Sequence, residues 1–200
     1  MNGERTVAAV DADDALIARF LAGHSDAFDA LFTRYQDYVY NIVYGIVGNA
    51  DDARDVAQEG FVQIYRSLRS FRRGSRFATW LYRIAVNRAV DAARSAKGRR
   101  WLPLMETLKA MPDPAAGPER RAEKRSERET IQGVLLQVPV NHRDVLVLRY
   151  YQDLSIEEIA EVLAISVSAA KVRLHRARNH FKETYIAAHG KEGAAADPLL

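Results

Sequence analysis

Between residues 77 and 100 an indole shares one helical arc with polar and charged side chains. At about 100° per residue, Trp80 falls among Arg83, Asn87, Asp91 and Arg94, while Leu81, Ile84, Ala85, Ala89 and Ala92 share a separate arc with Phe77 beside them. A plain amphipathic helix turns its tryptophan inward. Here it sits with cations, and cations attract phosphate while an aromatic face stacks on an unpaired base. The loop before the helix, SFRRGSR, adds Arg72, Arg73 and Arg76, and residues 71–100 hold nine Lys or Arg against a single acid, Asp91. The chemistry these residues suit is non-covalent: holding single-stranded or melting nucleic acid. A solvated basic helix would carry the same charge, and a neighbouring domain could cover Trp80, so both readings stand on this stretch alone. Arg88 falls on the apolar arc, a position that calls for an acid from another helix.

A second constellation lies near the C-terminus. Ser155 and Glu158 form a capping box that opens a short helix through Leu163. The step from Leu163 to Ser166 is a tight turn, and a further helix runs from Val167 to about Ile186. Two short helices with such a turn between them make a helix-turn-helix. On the wheel Val167, Ala170, Leu174, Ala177 and Phe181 face inward, and Ser168, Lys171, Val172, His175, Arg176 and Asn179 face outward. Arg173 and Arg178 flank that face, and no acid occurs between Glu161 and Glu183. Small polar groups in the centre with cations at the edges suit a major groove, bases in the middle and phosphates on either side. Val172 costs free energy in water but fits a thymine methyl.

The remaining segments must position these two faces. Asp13 or Asp14 can cap a short helix, ALIARFLAG, that Gly23 stops. Ser25 can cap the next, whose apolar stripe is Phe28, Leu31, Phe32, Tyr35, Val39, Ile42, Val43 and Ile46, broken by Gly48 and Asn49. A third helix is expected from about Asp51 to Leu68, with Val56, Ala57, Phe61, Ile64, Tyr65 and Leu68 inward. Its acids Asp51, Asp52, Asp55 and Glu59 complement the helix dipole. Residues 101–118 contain four of the chain's six prolines and read as an extended tether, though Trp101, Leu102, Leu104, Met105, Leu108 and Met111 give it apolar groups to dock. A helix over residues 119–138 begins densely charged, with pairs such as Arg120/Glu123 and Lys124/Glu127, and Pro139 ends it. Asn141 with Asp144 resembles a cap for HRDVLVLRYYQ. The small-residue tail, residues 188–200, is expected to be disordered. No segment alternates as a strand does. The fold class is therefore all-α: two helical domains, residues 11–100 and 119–187, joined by a proline-rich linker at 101–118, the second domain containing the helix-turn-helix.

Composition sets the outer limits. The chain has 200 residues, 48% hydrophobic, with a net charge of only +3. The charge is segregated: residues 26–60 carry seven acids and two arginines, and the next segment is strongly basic. An acidic face for a protein partner and a basic face for nucleic acid follow. The absence of cysteine removes disulfides, zinc-thiolate sites and thiol switches. The five histidines do not cluster with carboxylates at metal-ligand spacing, and Gly74 is a lone turn glycine, so no metal, cofactor or catalytic constellation is assigned. The N-terminus has no signal-peptide core and no apolar run approaches a membrane span, so a soluble, cytoplasmic protein without membrane contact is expected.

Two motif blocks narrow the reading further. Asp52-Ala-Arg-Asp-Val-Ala-Gln-Glu-Gly-Phe61 and Phe77-Ala-Thr-Trp-Leu-Tyr-Arg-Ile-Ala-Val-Asn87 resemble the core domain of bacterial sigma factors of the extracytoplasmic-function group, in the sigma-70 family. Leu154-Ser-Ile-Glu-Glu-Ile-Ala160 through Val172-Arg-Leu-His-Arg-Ala-Arg178 is similar to the promoter-binding domain of the same family. The resemblance covers about residues 11–187. It implies that Asp52, Asp55, Gln58, Glu59 and Phe61 bind the clamp helices of core RNA polymerase. It implies that Arg72, Arg73, Arg76, Trp80, Arg83, Asn87, Asp91 and Arg94 melt and read the −10 promoter element, with one base flipped into a pocket. For the −35 element it implies Ser168, Lys171, Val172, His175 and Arg176 on the bases and Arg173 and Arg178 on phosphates. It further implies a linker threaded through the polymerase cleft and a partner anti-sigma factor. Ala169-Ala170 and Val172 depart from the usual residues, so the −35 sequence read here is expected to differ.

The function expected is a sigma subunit that binds core RNA polymerase, directs promoter recognition and transcription initiation, and has no chemistry of its own. A stand-alone helix-turn-helix regulator acting without polymerase is the alternative, and a small helical enzyme a more distant one. A stand-alone sensor needs neither the Asp/Gln/Glu block nor an exposed Trp80.

Overall fold

The computed structural model describes residues 2–72, 74–96 and 118–190. They form α1 (Asn2–Leu21), α2 (Asp26–Val47), α3 (Ala50–Ser67), a short 3-10 turn (Leu68–Ser70), α4 (Phe77–Ala96), α5 (Pro118–Gln137), α6 (Val140–Tyr150), α7 (Ile156–Leu163) and α8 (Val167–His189). No strand occurs among the described residues.

Helix α2 is the axis. Its stripe of Leu31, Val39, Ile42, Val43 and Ile46 is completely buried, at the i, i+3, i+4 spacing that puts apolar groups on one face. Gly48 ends it in the left-handed conformation at φ 86°, which a side chain would strain. The next residue then starts α3: the Asn49 side chain accepts from the backbone N–H groups of Asp51 and Asp52. Helices α1, α3 and α4 pack around α2, and Ala53, Ala57, Ile64, Leu81, Ala85 and Ala89 complete this half of the core.

The core does not stop there. Helices α5 and α6 also pack on α2, and α6 and α7 pack on α4, so one hydrophobic cluster runs through both halves of the chain. The C-terminal turn of α2 is gripped by α6. The buried Arg143 guanidinium donates to the carbonyls of Ile46, Leu136 and Val138, a cation placed where the helix dipole is negative. Burial holds its pKa down, to about 10.

Several local expectations give way to tertiary contacts. Asp13 does not cap a helix, because α1 begins far upstream. It is buried inside the bundle and accepts from Tyr35 Oη and the Arg34 guanidinium. Burial first, and the Asp13 carboxylate second, push the Tyr35 hydroxyl far above the ordinary tyrosine range. Ser25 stands at the start of α2 but makes no side-chain cap bond. Asn141 is no cap either: Pro139 precedes α6, and Asp144 lies within the helix, turned inward. Tyr65 is 48% exposed rather than inward, its ring edge-on to Phe20 and Phe28. Val167 is 37% exposed, at the open first turn of α8. That helix continues to His189, past the expected end and into the stretch expected to be disordered. The tether at residues 101–117 and positions 191–200 lie outside the described residues, as do the side chains of the Arg120/Glu123 and Lys124/Glu127 pairs.

Candidate nucleic-acid interface

The outward arc of α4 is held in place by rings. Trp80 is half-buried, its ring centroid 5.1 Å from Phe71 and 5.8 Å from Phe77. Phe77 is itself buried at the start of the helix and lies edge-on to Tyr35. The indole is therefore more sheltered than the wheel implies, because Phe71, in the chain leading to the loop, folds back over it. Asn87, Asp91 and Arg94 are exposed, as are Arg72 and Arg76; Arg73 lies outside the described residues. Arg88 donates to Gln63 at 2.7 Å and stands 4.0 Å from Glu59 on α3, the acid its wheel position calls for.

Two arginines of this face are occupied by the other half of the chain. Arg76 pairs with Glu158 at 3.2 Å, and Arg83 donates to the backbone carbonyl of Glu161 at 2.5 Å. Both partners belong to α7, the first helix of the helix-turn-helix.

The second face is open. The capping box of α7 is complete: Glu158 N donates to Ser155 Oγ, and the Glu158 carboxylate accepts from Ser155 N. Ala164 makes the turn at φ 53°, and Ser166 then caps α8 by accepting from Ala169 N. Ala170, Ala177 and Phe181 are buried, which fixes the roll of the helix. Ser168, Lys171, Val172, His175, Arg176 and Asn179 consequently face solvent, Val172 with 50% of its surface exposed. Arg178 is half-buried beside them.

Arg173 departs from the role the sequence implies. It donates to Asp144 Oδ2 and to the Asn141 carbonyl, both at 2.5 Å, and so ties α8 to α6. Asp144 is 3% exposed, and burial raises its carboxyl to about 6 in spite of the opposing pull of Arg173. Two of the guanidinium's donors, on Nε and Nη2, are thereby committed within the domain.

On α3 the acidic shoulder is solvent-facing: Asp52, Asp55, Gln58 and Glu59 are all exposed. Phe61 is not part of that surface. It is 7% exposed and packs edge-on against Phe32, 4.6 Å away. The apolar groups that do reach solvent beside the shoulder are Phe32, Val62 and Tyr65. Val62 was within reach of sequence reasoning, because it follows Gln58 and Glu59 at i+4 and i+3 on the same face. Phe32 gave no such signal, since it lies in the apolar stripe of α2.

Two family models match the chain. Residues 31–99 match Sigma-70 region 2, and residues 128–181 match Sigma-70, region 4. The chain is 36% identical over 168 residues to the ECF RNA polymerase sigma factor SigW of Bacillus subtilis, covering 80% of this chain and 90% of that protein. It is 36% identical over 175 residues to the RNA polymerase sigma-H factor of Pseudomonas aeruginosa, covering 83% and 90%. Among solved structures it is similar to CnrH in complex with the cytosolic domain of CnrY, at 27% identity and a TM-score of 0.66 over 88% of this chain and 98% of that one. The sigma factor RpoE of Bartonella quintana, solved with the anti-sigma factor NepR, shares the fold at 18% identity and a TM-score of 0.59, covering 78% and 95%. The chain belongs to the sigma-70 family of RNA polymerase sigma factors. Within that family its relatives place it in the extracytoplasmic-function group. They match across both regions, which sets the stand-alone regulator aside.

Proposed function

We propose that this chain binds core RNA polymerase through α3, positions it at a promoter through two DNA readers, and helps separate the strands. The observation that carries the assignment of roles is the exposed acidic shoulder on one side of a bundle that presents the Trp80 face on another. Asp52, Asp55, Gln58 and Glu59 provide the charge of the polymerase surface, and Phe32, Val62 and Tyr65 extend it with apolar area. Trp80 stacks on an unpaired base, with Arg72, Arg73, Arg76, Arg83, Asn87, Asp91 and Arg94 around the melted −10 strand. Rings of Phe71 and Phe77 pre-order the indole, so little freedom is lost when a base arrives. Base flipping costs a few kcal/mol of unstacking, which these contacts must offset.

Lys171, Val172, His175 and Arg176, with Ser168, read the −35 element, and Arg178 contacts phosphate. The functional units are residues 11–100 and 119–187, joined by the tether at 101–118. The chain acts in the cytoplasm and supplies no chemistry of its own, since strand separation here is driven by binding. A protein that covers the DNA-binding surfaces, an anti-sigma factor, is the expected regulator.

Reconstitution tests this reading. Core polymerase, the chain and a pool of promoter fragments are combined, and initiated transcripts are sequenced. Transcripts that start downstream of one shared pair of elements, and only when the chain is present, support it. Duplex binding without polymerase, and no initiation with it, would overturn it.

A further inference from the structure

Two histidines on one edge of the recognition face have no part in the base-reading set. On α8, Arg173, Arg176 and His180 follow at i, i+3 and i+7, so they share one side of the helix. That side looks toward the start of α6, where Arg173 meets Asn141 and Asp144. His142 of α6 comes up against it, its ring centroid 5.5 Å from that of His180. His142 is half-buried, and its Nδ1 is enclosed without a hydrogen-bond partner. His180 is exposed, as is Arg176 on the reading face. The pair therefore lies along a flank of α8, where a groove's phosphate backbone runs beside a recognition helix.

The charge around the pair is one-sided. Burial first, then His180, Arg173 and Arg176, disfavour the His142 imidazolium and hold its pKa below the ordinary value. Asp144, two residues along α6, is buried, accepts from Arg173 and feels Arg94 of α4. Arg143 turns away to the carbonyls of Ile46, Leu136 and Val138. On α7, Glu158 pairs with Arg76. On α5, Arg128 acts on Tyr151 and Glu129 on Tyr44. Lys182 and Glu183, the next charges along α8, are exposed and of opposite sign. The site is short of negative charge, and a phosphodiester supplies it.

We propose that His142 and His180 form a proton-gated phosphate seat: a backbone phosphate of the −35 duplex docks against them and Arg176, and the pair takes up one proton as it does. The proposal rests on the sigma-factor reading and deepens it, because promoter engagement then tightens as pH falls. The proton comes from solvent and goes onto an imidazole nitrogen; no covalent bond to the phosphate forms. Protonation gives a ring with one N–H a second donor. It also makes the contact charge-assisted. The phosphate in turn offsets the repulsion from Arg173 and Arg176 that opposes the imidazolium in the free chain. By linkage, affinity gains up to about tenfold per pH unit over the range where the bound chain holds the proton and the free chain does not.

The test uses core polymerase with the full-length chain and a fluorescein-labelled promoter duplex from the selected pool. Affinity is measured at about pH 6 and about pH 8, and the ratio of the two is the acid gain. The parent should show a gain of about threefold to tenfold or more. In His142→Gln, and in His180→Gln at an exposed position that spares the fold, the gain should shrink by about threefold or more. His175 on the reading face is common to all three chains, so its own titration drops out of the comparison. His180→Lys fixes a cation at the seat and should tighten binding at the alkaline end. Asp144→Asn removes the neighbouring titration and should keep the gain. An unchanged gain in either glutamine variant overturns the proposal, and so does a gain that Asp144→Asn reduces as much as they do. With the parent chain, a scan replacing one backbone phosphate at a time by neutral methylphosphonate should erase the gain at one −35 position and keep it elsewhere. A scan in which no single phosphate matters overturns the proposal. A parent that gives no transcripts at any pH sinks the sigma reading; one that initiates with a flat pH profile sinks the seat alone.

Discussion

Arg173 on α8 donates to the buried carboxylate of Asp144 on α6, and this pair joins the recognition helix to the body of its domain. The pH dependence has a definite sign. Buried Asp144 ionises at about 6 in the folded chain against an ordinary 3.8. Between those values the folded chain holds a proton that the unfolded chain has lost. Its contribution to stability is therefore full below about pH 4 and is lost as pH rises through 6. Comparing thermal stability of the parent with Asp144→Asn at pH 4.5 and pH 7 isolates the effect. The parent should lose ground to the variant as pH rises. His142, whose pKa burial lowers, works in the other direction but is present in both chains and cancels. A parent that gains on the variant as pH rises would mean that Arg173 outweighs burial.

Two neighbouring arginines on α8 should respond in opposite ways. Arg173→Ala leaves Asp144 buried without its cation and should cost about 3–5 kcal/mol of stability. Arg176→Ala removes an exposed side chain, so its melting curve should stay within about 0.5 kcal/mol of the parent. Its affinity for the selected −35 duplex should fall by about 1–3 kcal/mol, with relaxed preference at one base pair. Loss by the same factor on every sequence would make Arg176 a phosphate contact only.

Asn49 caps α3 through two backbone N–H groups. Asn49→Ala should lower stability by about 1 kcal/mol in chemical denaturation and leave polymerase affinity of the folded chain unchanged. A large loss of affinity with no loss of stability would put Asn49 in the polymerase surface instead.

Asp55 is exposed on the shoulder and is not needed to start α3. Asp55→Lys should weaken binding to core polymerase by tenfold or so, most strongly at low salt, and spare −35 duplex binding. Equal affinity for polymerase in a competition titration would remove Asp55 from that surface.

Much of this architecture was legible because local signals and packing agree. The capping box at Ser155 and Glu158, the turn before Ser166 and the apolar stripe of α2 each specify geometry within a few residues. Arg88 was legible too: a cation on an apolar arc needs an acid from elsewhere, and Glu59 is there. What could not be read depends on contacts remote in sequence. Nothing within α1 says that Asp13 will meet Tyr35 and Arg34, or that Arg173 will be spent on an acid 29 residues away. That α7 would lie against α4, 78 residues away at the Arg83–Glu161 contact, is beyond local reading in the same way. Gly45 looks like an ordinary helical glycine until Val147 stands against it.

The central claim is that the Trp80 face holds separated strands. Permanganate reactivity of thymines at a promoter taken from the selected pool measures that directly, with core polymerase bound to either the parent or Trp80→Ala. The account predicts unpaired thymines at the −10 element with the parent. With Trp80→Ala it predicts a clear loss of reactivity, while polymerase affinity changes little. Equal reactivity from both chains, or a loss of polymerase binding as large as the loss of opening, would contradict it.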